Sequence, residues 1–66
     1  MTELPEDLSQ ALDETSARSG WDAYSEELKQ DALDWIETAK TTTARSKRID
    51  DVARHAGKGL PPSALQ

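Results

Sequence analysis

The chain contains no cysteine, which excludes a disulfide framework and any thiolate metal site. It also lacks an apolar run near the roughly 18 residues that are needed to span a bilayer. The N-terminal residues Met1–Asp7 have neither the positive region nor the apolar stretch of a secretory signal. We therefore expect a cytoplasmic protein without a transmembrane segment, stabilised by packed apolar side chains and good helix propensities.

Basic residues are scarce, since 8 Lys and Arg stand against 13 Asp and Glu and give a net charge of −5. This charge disfavours nucleic acid as a partner, because such binding depends on neutralising phosphates. The charge is also uneven: residues 1–37 hold 11 acidic and 2 basic side chains, whereas residues 38–66 hold 2 acidic and 6 basic ones. We interpret the two halves as folding against each other and partly neutralising one another.

The small size of the chain limits what it can build. Its 66 residues form one domain at most. Such a domain has too little interior for a deep substrate cleft. The one glycine-rich stretch, residues 57–59, follows a helix and so cannot open a phosphate-binding turn. We predict a protein that is not an enzyme and has no cofactor or metal, unless a cleft forms between two copies of the chain.

The spacing of apolar residues predicts an all-α fold, a small bundle of three main helices and one short helix. No strand pattern occurs. The first helix should span residues 5–14, because proline is tolerated at a helix start. A short second helix should span residues 15–23, capped by Thr15 or Ser16 and weakened by Gly20.

The third and fourth helices carry the clearest signals. The third should start after Ser25 as N-cap and close at Lys40, whose charge suits a helix C-terminus. The fourth should span residues 44–56, with a preceding threonine as cap and Gly57 as left-handed C-cap. We expect one domain over residues 1–66, ordered over about 4–58 with a flexible tail over 59–66.

The predicted core gathers large side chains from all four helices. An exposed aromatic platform of Trp21, Tyr24 and Trp35 is the alternative, but in small domains such residues more often form the core. We place Trp35 at the centre, so that its truncation to alanine should unfold the domain. The predicted core residues are Leu8, Leu12, Trp21, Leu28, Trp35, Ile36, Ile49 and Val52.

Three stretches of the sequence resemble one known family. They are Leu4-Pro5-Glu6-Asp7-Leu8 followed by Ala11-Leu12, then Trp35-Ile36-Glu37-Thr38-Ala39-Lys40, then Arg45-Ser46-Lys47-Arg48-Ile49. In order and spacing they resemble the helical domain of the YdeI/OmpD-associated bacterial family, over residues 4–59. Ala44 and Ala32 depart from this pattern, because the family usually has threonine and tyrosine at these positions. The stretch between the first motif and Trp21 is also slightly short.

The resemblance implies a binding or stress-response role and no catalytic site. The family is named for bacteriocin protection and association with an outer-membrane porin, and its members are linked to envelope stress and resistance to cationic peptides. We therefore predict a small interaction module with a protein partner, as a monomer or weak dimer. The alternative is a small regulator that binds nucleic acid or anionic lipid through the basic fourth helix.

Basic residues near the start of the fourth helix form a candidate binding patch. A planar guanidinium binds oxyanions through two parallel hydrogen bonds, which suits an anionic partner. The interpretation we favour is structural: the two arginines pair with Asp34 or Glu37 and hold the third and fourth helices together. The candidate anion- or partner-binding residues are Lys40, Arg45, Lys47 and Arg48.

We interpret the remaining ionisable groups as solvated side chains without a functional role. His55 is the single histidine and should be a solvated residue near the C-terminus of the fourth helix. The carboxylates of the third helix alternate with apolar positions, which is typical of a solvated face. These carboxylates are Glu26, Glu27, Asp31 and Asp34.

Overall fold

A computed structural model describes residues 4–65, and within them every regular element is helical. The prediction of an all-α bundle with three longer helices and one short helix is confirmed. A short 3-10 helix near the C-terminus was not predicted. The elements are α1 (Glu6–Glu14), α2 (Arg18–Asp22), α3 (Glu26–Glu37), α4 (Thr42–Gly57) and the 3-10 helix Ser63–Leu65.

The longest helix, α4, is the centre of the fold, because α1, α2, α3 and the 3-10 helix all pack against it. Its apolar side presents one continuous buried stripe. The stripe is formed by Ile49, Val52, Ala53 and Ala56. Leu8 and Leu12 of α1 and Ile36 of α3 are fully buried in the same core.

Six of the eight predicted core residues are buried: Leu8, Leu12, Trp21, Ile36, Ile49 and Val52. The other two, Leu28 and Trp35, are only half-buried and pack against the edge of the core. Because α3 packs chiefly on α4, its buried line runs through Ala32, Leu33 and Ile36. Leu28 and Trp35 lie to one side of that line, so the prediction that Trp35 occupies the centre is wrong.

The helix starts follow the local sequence, with some shifts. Ser25 caps α3 as predicted, its hydroxyl accepting a hydrogen bond from the amide of Leu28 at 3.1 Å. Thr41 caps α4 through the amide of Ala44 at 3.0 Å, so this helix begins at Thr42 and not at residue 44. The short α2 begins only at Arg18 and has no side-chain cap, contrary to prediction.

The helix ends depart further from prediction. The α3 helix ends at Glu37, so Lys40 lies beyond it and does not close it. Gly57 is the last residue of α4, and the left-handed residue is Gly59, with φ of 74°. The amides of Gly59 and Leu60 donate to Ala56 and His55 carbonyls at 3.0 and 2.9 Å. These two bonds are those of a Schellman motif, which needs its left-handed residue two positions after the last helical one.

The end of α1 uses the same motif without glycine. Ser16 adopts φ of 55°, and its amide donates to the Asp13 carbonyl at 3.3 Å. The amide of Ala17 donates to the Leu12 carbonyl at 2.8 Å. A left-handed non-glycine residue costs roughly 1–2 kcal/mol. The sharp turn is nevertheless needed, because it brings Ala17 into the core and directs α2 across α4.

Gly20 permits a close crossing of α2 and α4. A Cβ atom at this position would lie 1.8 Å from the carbonyl oxygen of Ala56. The backbones of α2 and α4 are therefore in direct contact here. The sequence suggested only that Gly20 weakens its helix, whereas the structure shows that glycine is required for α2 to pack.

The C-terminal segment, for which the sequence predicted a flexible tail, makes several contacts with the rest of the domain. The hydroxyl of Tyr24 donates to the Leu60 carbonyl at 2.6 Å, and Pro62 is fully buried. The amide and hydroxyl of Ser63 both donate to Asp51 Oδ2, at 3.0 and 2.9 Å. Residues 60–65 are thus held against α4.

Candidate interaction surfaces

Arg45 is a structural residue that joins three helices. Its Nε and Nη2 donate to the two oxygens of Asp7 at 2.8 and 3.3 Å, and its Nη1 donates to Glu37 at 3.3 Å. The hydrogen bond from Arg45 lowers the pKa of the Asp7 carboxyl, and the pKa of Arg45 is raised in return. The pairing with Glu37 confirms the structural interpretation, whereas Asp7, 38 positions away, was not predicted.

Arg48 also stabilises the fold, but without a carboxylate. Its Nη1 donates to the Trp35 carbonyl at 2.6 Å and to the Thr38 hydroxyl at 2.9 Å. Its guanidinium carbon lies 5.4 Å from the centroid of the Trp35 ring, within cation–π range. The Trp35 carbonyl, which also accepts from the Thr38 hydroxyl at 2.8 Å, lies at the C-terminus of α3, where the helix dipole favours a positive charge. Among residues 4–65 Arg48 pairs with neither Asp34 nor Glu37, so the predicted pairing with one of these carboxylates holds for Arg45 alone.

The predicted basic patch is accordingly not one binding site. Both arginines are half-buried and hydrogen-bonded to other helices. Lys40, in the loop before α4, and Lys47, on α4, are exposed and form no ion pair with any residue between 4 and 65. These two lysines are the most exposed of the four candidates.

Three carboxylates form a row along one face of α3. The row consists of Glu27, Asp31 and Asp34, all exposed, and we call it the acidic row. Within residues 4–65 none of the three has an ion-pair partner, although Asp34 accepts a hydrogen bond from Gln30 at 3.0 Å. Their spacing of four and then three residues places them on one side of the helix. The solvated face expected from the sequence is therefore a continuous line of negative charge.

Apolar surface borders the acidic row. Leu28 and Trp35 are seven residues apart and so lie on the same side of α3, roughly 80–100° around the helix from Glu27. Both are half-buried, and we call them the apolar border. Arg48 covers one part of the Trp35 ring. The outer side of α3 thus combines charge with accessible aliphatic and aromatic surface.

Several other carboxylates form ion pairs and carry less free charge. Arg18 contacts Asp13 at 2.8 Å and the Ser9 hydroxyl at 2.6 Å, at the edge of a shallow depression of about 450 Å³ along α1. Lys29 approaches Glu26 at 3.6 Å on α3. The depression is lined by Leu4, Glu6, Ser9, Gln10, Asp13 and Glu14.

His55 is half-buried beside Asp51, and so is not the solvated residue predicted. Its Nδ1 lies 2.8 Å from the Asp51 carbonyl and 3.4 Å from Asp51 Oδ1. The nearby Ser63 donates its hydroxyl to Asp51, whereas a nucleophilic serine would donate to the histidine. These three residues therefore secure the C-terminal segment. Among residues 4–65 there is also no group of three or more side chains placed to hold a metal ion.

The fold and these surfaces define a small all-α domain whose charged side chains lie at the surface or in interhelical pairs. The chain matches the family described as "Bacteriocin-protection, YdeI or OmpD-Associated" over residues 1–59, and it belongs to that family. No curated protein and no solved structure matches it. Within the part of the chain that the structure describes, no helix is long and apolar enough to cross a membrane.

Proposed function

We propose that this chain is a non-catalytic binding module that captures a cationic polypeptide on the outer side of α3. The observation that carries the proposal is the acidic row, whose three exposed carboxylates have no ion-pair partner among residues 4–65. In the cell, the module would act in the cytoplasm, in envelope stress or in resistance to bacteriocins and cationic peptides. The family's description as bacteriocin-protection supports this role.

The geometry of the acidic row suits a basic peptide. Successive carboxylates three or four residues apart on a helix are separated by roughly 5–6 Å. Lysines or arginines with the same spacing on a partner helix would meet them one to one. Because the carboxylates are spread along an open helix face and not enclosed in a cleft, they suit charge pairing better than acid–base chemistry.

The apolar border narrows the class of partner. A purely basic peptide would leave Leu28 and Trp35 uncovered, whereas an amphipathic one would bury its own apolar side against them. Burial of apolar surface contributes roughly 25 cal/mol per Å², so this contact would add affinity that salt does not screen. We therefore expect an amphipathic cation to bind more tightly than an oligolysine of equal charge.

The overall charge of the protein should help the first encounter. The net charge of −5 and the acidic excess in residues 1–37 would attract a polycation before contact. Such steering is screened at distances beyond about 8 Å in physiological salt. Association should therefore slow with added salt, while the apolar contact preserves part of the affinity.

A titration with charge-matched variants tests the proposal. The probe is a fluorescein-labelled helical peptide of lysine and leucine, followed by anisotropy. The variant Glu27→Gln/Asp31→Asn/Asp34→Asn should weaken binding about 10-fold, since exposed pairs contribute roughly 0.2–1 kcal/mol each. The control Glu6→Gln/Glu14→Gln/Asp22→Asn changes the net charge equally but lies on α1 and α2. It should weaken binding much less.

Three outcomes would contradict the proposal. Equal weakening by both triple variants would mean that the peptide senses only total charge. No saturable binding to the parent would remove the site altogether. Binding of anionic vesicles or nucleic acid that is lost in Lys40→Gln/Lys47→Gln would instead support the alternative of a regulator acting through α4.

A further inference from the structure

The C-terminal segment is held by contacts of the kind that proteins use to bind peptides. Its Leu60 carbonyl accepts a hydrogen bond from the Tyr24 hydroxyl at 2.6 Å. Two residues later the ring of Pro62 is fully buried. The amide and hydroxyl of Ser63 then donate to Asp51 Oδ2 at 3.0 and 2.9 Å. Backbone acceptor, buried ring and backbone donor follow one another along the segment.

The segment itself has the chemistry of an extended proline-containing ligand. Leu60-Pro61-Pro62 restricts φ at two successive residues and so loses little conformational entropy on binding. Leu60 is 47% exposed, so recognition depends on its carbonyl, on the buried Pro62 ring, on the amide and hydroxyl of Ser63, and on Leu65, which packs against the core. Proline-rich peptides are commonly bound in this way by aromatic-lined grooves.

The receiving surface is built into the folded core. The ring of Tyr24 is 9% exposed and packs at 58° against Trp21, with 5.5 Å between the ring centroids. Asp51 and His55 are fixed on α4 and contact each other. Burial and the nearby charge of Asp51 raise the pKa of the Tyr24 hydroxyl, so it remains a hydrogen-bond donor at neutral pH. These residues form the surface that the segment contacts.

The contacted residues lie within the part of the chain that matches the family, and the C-terminal segment lies outside it. Tyr24, Asp51 and His55 lie within the residues that match the family, which end at 59. The bound segment, residues 60–65, lies beyond the match and follows the left-handed turn at Gly59. The contacted residues thus lie within the family match, and the segment that contacts them lies beyond it.

We infer that the surface formed by Tyr24 and Asp51 is a binding site for a peptide of the Leu-Pro-Pro-Ser type, which the chain's own C-terminal segment occupies. This site is separate from the acidic row and does not depend on the proposed function. A tethered segment competes at an effective concentration of the order of millimolar. An external peptide must therefore displace the segment, and binding in trans is weak while the segment stays in place.

The test releases the segment and supplies it again as a free peptide. The full chain carrying Pro61→Gly/Pro62→Gly is labelled with nitrogen-15, and the probe is a synthetic peptide with the sequence of residues 58–66. We expect saturable shifts of the amides around Tyr24, Asp51 and His55. Because the tether no longer competes, binding should be at least about 10-fold tighter than to the parent.

Two controls distinguish specific recognition from nonspecific binding. Adding Tyr24→Phe to the released chain removes one hydrogen bond and should weaken binding about 5-fold. A peptide with glycine in place of both prolines should not saturate the site over the same concentration range. If the released chain remains folded by circular dichroism and the peptide produces no saturable shifts, the inference is overturned.

A second measurement uses the parent chain and does not rely on the variant. Unlabelled peptide at several-fold above the roughly millimolar effective concentration should displace the segment in the labelled parent. The amides of residues 60–65 should then move toward disordered positions while α4 keeps its structure. If those amides are unchanged at that excess, or if the peptide binds elsewhere, the inference is overturned.

Discussion

The two sides of α4 differ in how closely their neighbours pack. On one side, α2 crosses α4 so tightly that Gly20 contacts the Ala56 carbonyl, and Ala17 and Ala53 are fully buried nearby. On the other side, α3 leaves Leu28 and Trp35 half-exposed and carries the acidic row on its outer face. The first side sets the stability of the domain, whereas the second keeps charge and apolar surface available for a partner.

The largest effect should come from adding one methyl group on the tight side. Gly20→Ala would place Cβ 1.8 Å from a backbone oxygen, so α2 must move away from α4. We expect a loss of about 3 kcal/mol or more, close to the whole stability of so small a domain. Thermal unfolding followed by circular dichroism measures the effect.

The matched control is the glycine at the end of α4. At Gly57 a new Cβ would lie 3.7 Å from Ala17 Cβ, which is an ordinary contact. Gly57→Ala should therefore be neutral or stabilise by about 0.5 kcal/mol through helix propensity. If both alanine variants lowered the melting temperature equally, close packing at Gly20 would not be the cause.

Truncation of neighbouring residues on α3 compares its inner and outer sides. Ile36→Ala removes a fully buried side chain and should cost about 3 kcal/mol. Trp35→Ala removes a larger but half-exposed side chain and should cost about 2 kcal/mol, because less apolar area is lost. Urea unfolding of both variants tests which of them loses more stability. A larger loss for Trp35→Ala would restore the central position that the sequence suggested.

Substitutions at the left-handed residues of the two Schellman turns should change the stability less, and in opposite directions. Ser16→Gly relieves a left-handed serine and should stabilise by about 0.5–1 kcal/mol, after the extra entropy of glycine in the unfolded chain is counted. Gly59→Ala imposes the same strain at the end of α4 and should destabilise by about 1 kcal/mol. Melting temperatures that move in the same direction for both variants would contradict this interpretation.

The smallest effect concerns the pH dependence of the Asp7–Arg45 pair. Because Arg45 lowers the pKa of Asp7 in the folded state, the pair stabilises the protein above the unfolded pKa of about 3.9. That contribution is lost as the pH falls through the lowered value. Asp7→Asn should therefore lower the melting temperature slightly at neutral pH, and the difference from the parent should shrink below about pH 4.

The control for this pair is a carboxylate without such a partner. Asp31 is exposed and unpaired among residues 4–65, so Asp31→Asn should leave the melting temperature nearly unchanged at neutral pH. If the difference in melting temperature between Asp7→Asn and the parent grew on acidification, the predicted direction of the pH dependence would be wrong.

Local sequence signals predicted the helices better than their junctions. Apolar spacing and the cap at Ser25 were sufficient for the start of α3 and for the buried faces of α1 and α4. The close crossing at Gly20 was not predictable, because it depends on the carbonyl of a residue in another helix. In the same way, Asp7 and Arg45 are 38 positions apart, and no local pattern links them.

At the candidate sites, too, the sequence drew attention to single residues but did not predict most of their contacts. The arginines stood out in the sequence because of their charge, but the fold uses them to tie helices together. The contact between Tyr24 and Leu60 was missed, although a phenol in a core normally needs a hydrogen-bond partner. That requirement, together with two successive prolines, was the available signal for a docked segment.

The most direct test of the interaction surface is to map where a cationic amphipathic peptide binds. The uniformly nitrogen-15-labelled parent is titrated with the lysine–leucine peptide while amide and indole signals are recorded. We predict saturable shifts centred on Glu27, Asp31 and Asp34 and on the Trp35 indole, with α2 unaffected. Shifts centred instead on Lys40 and Lys47, or shifts that are spread evenly and do not saturate, would contradict it.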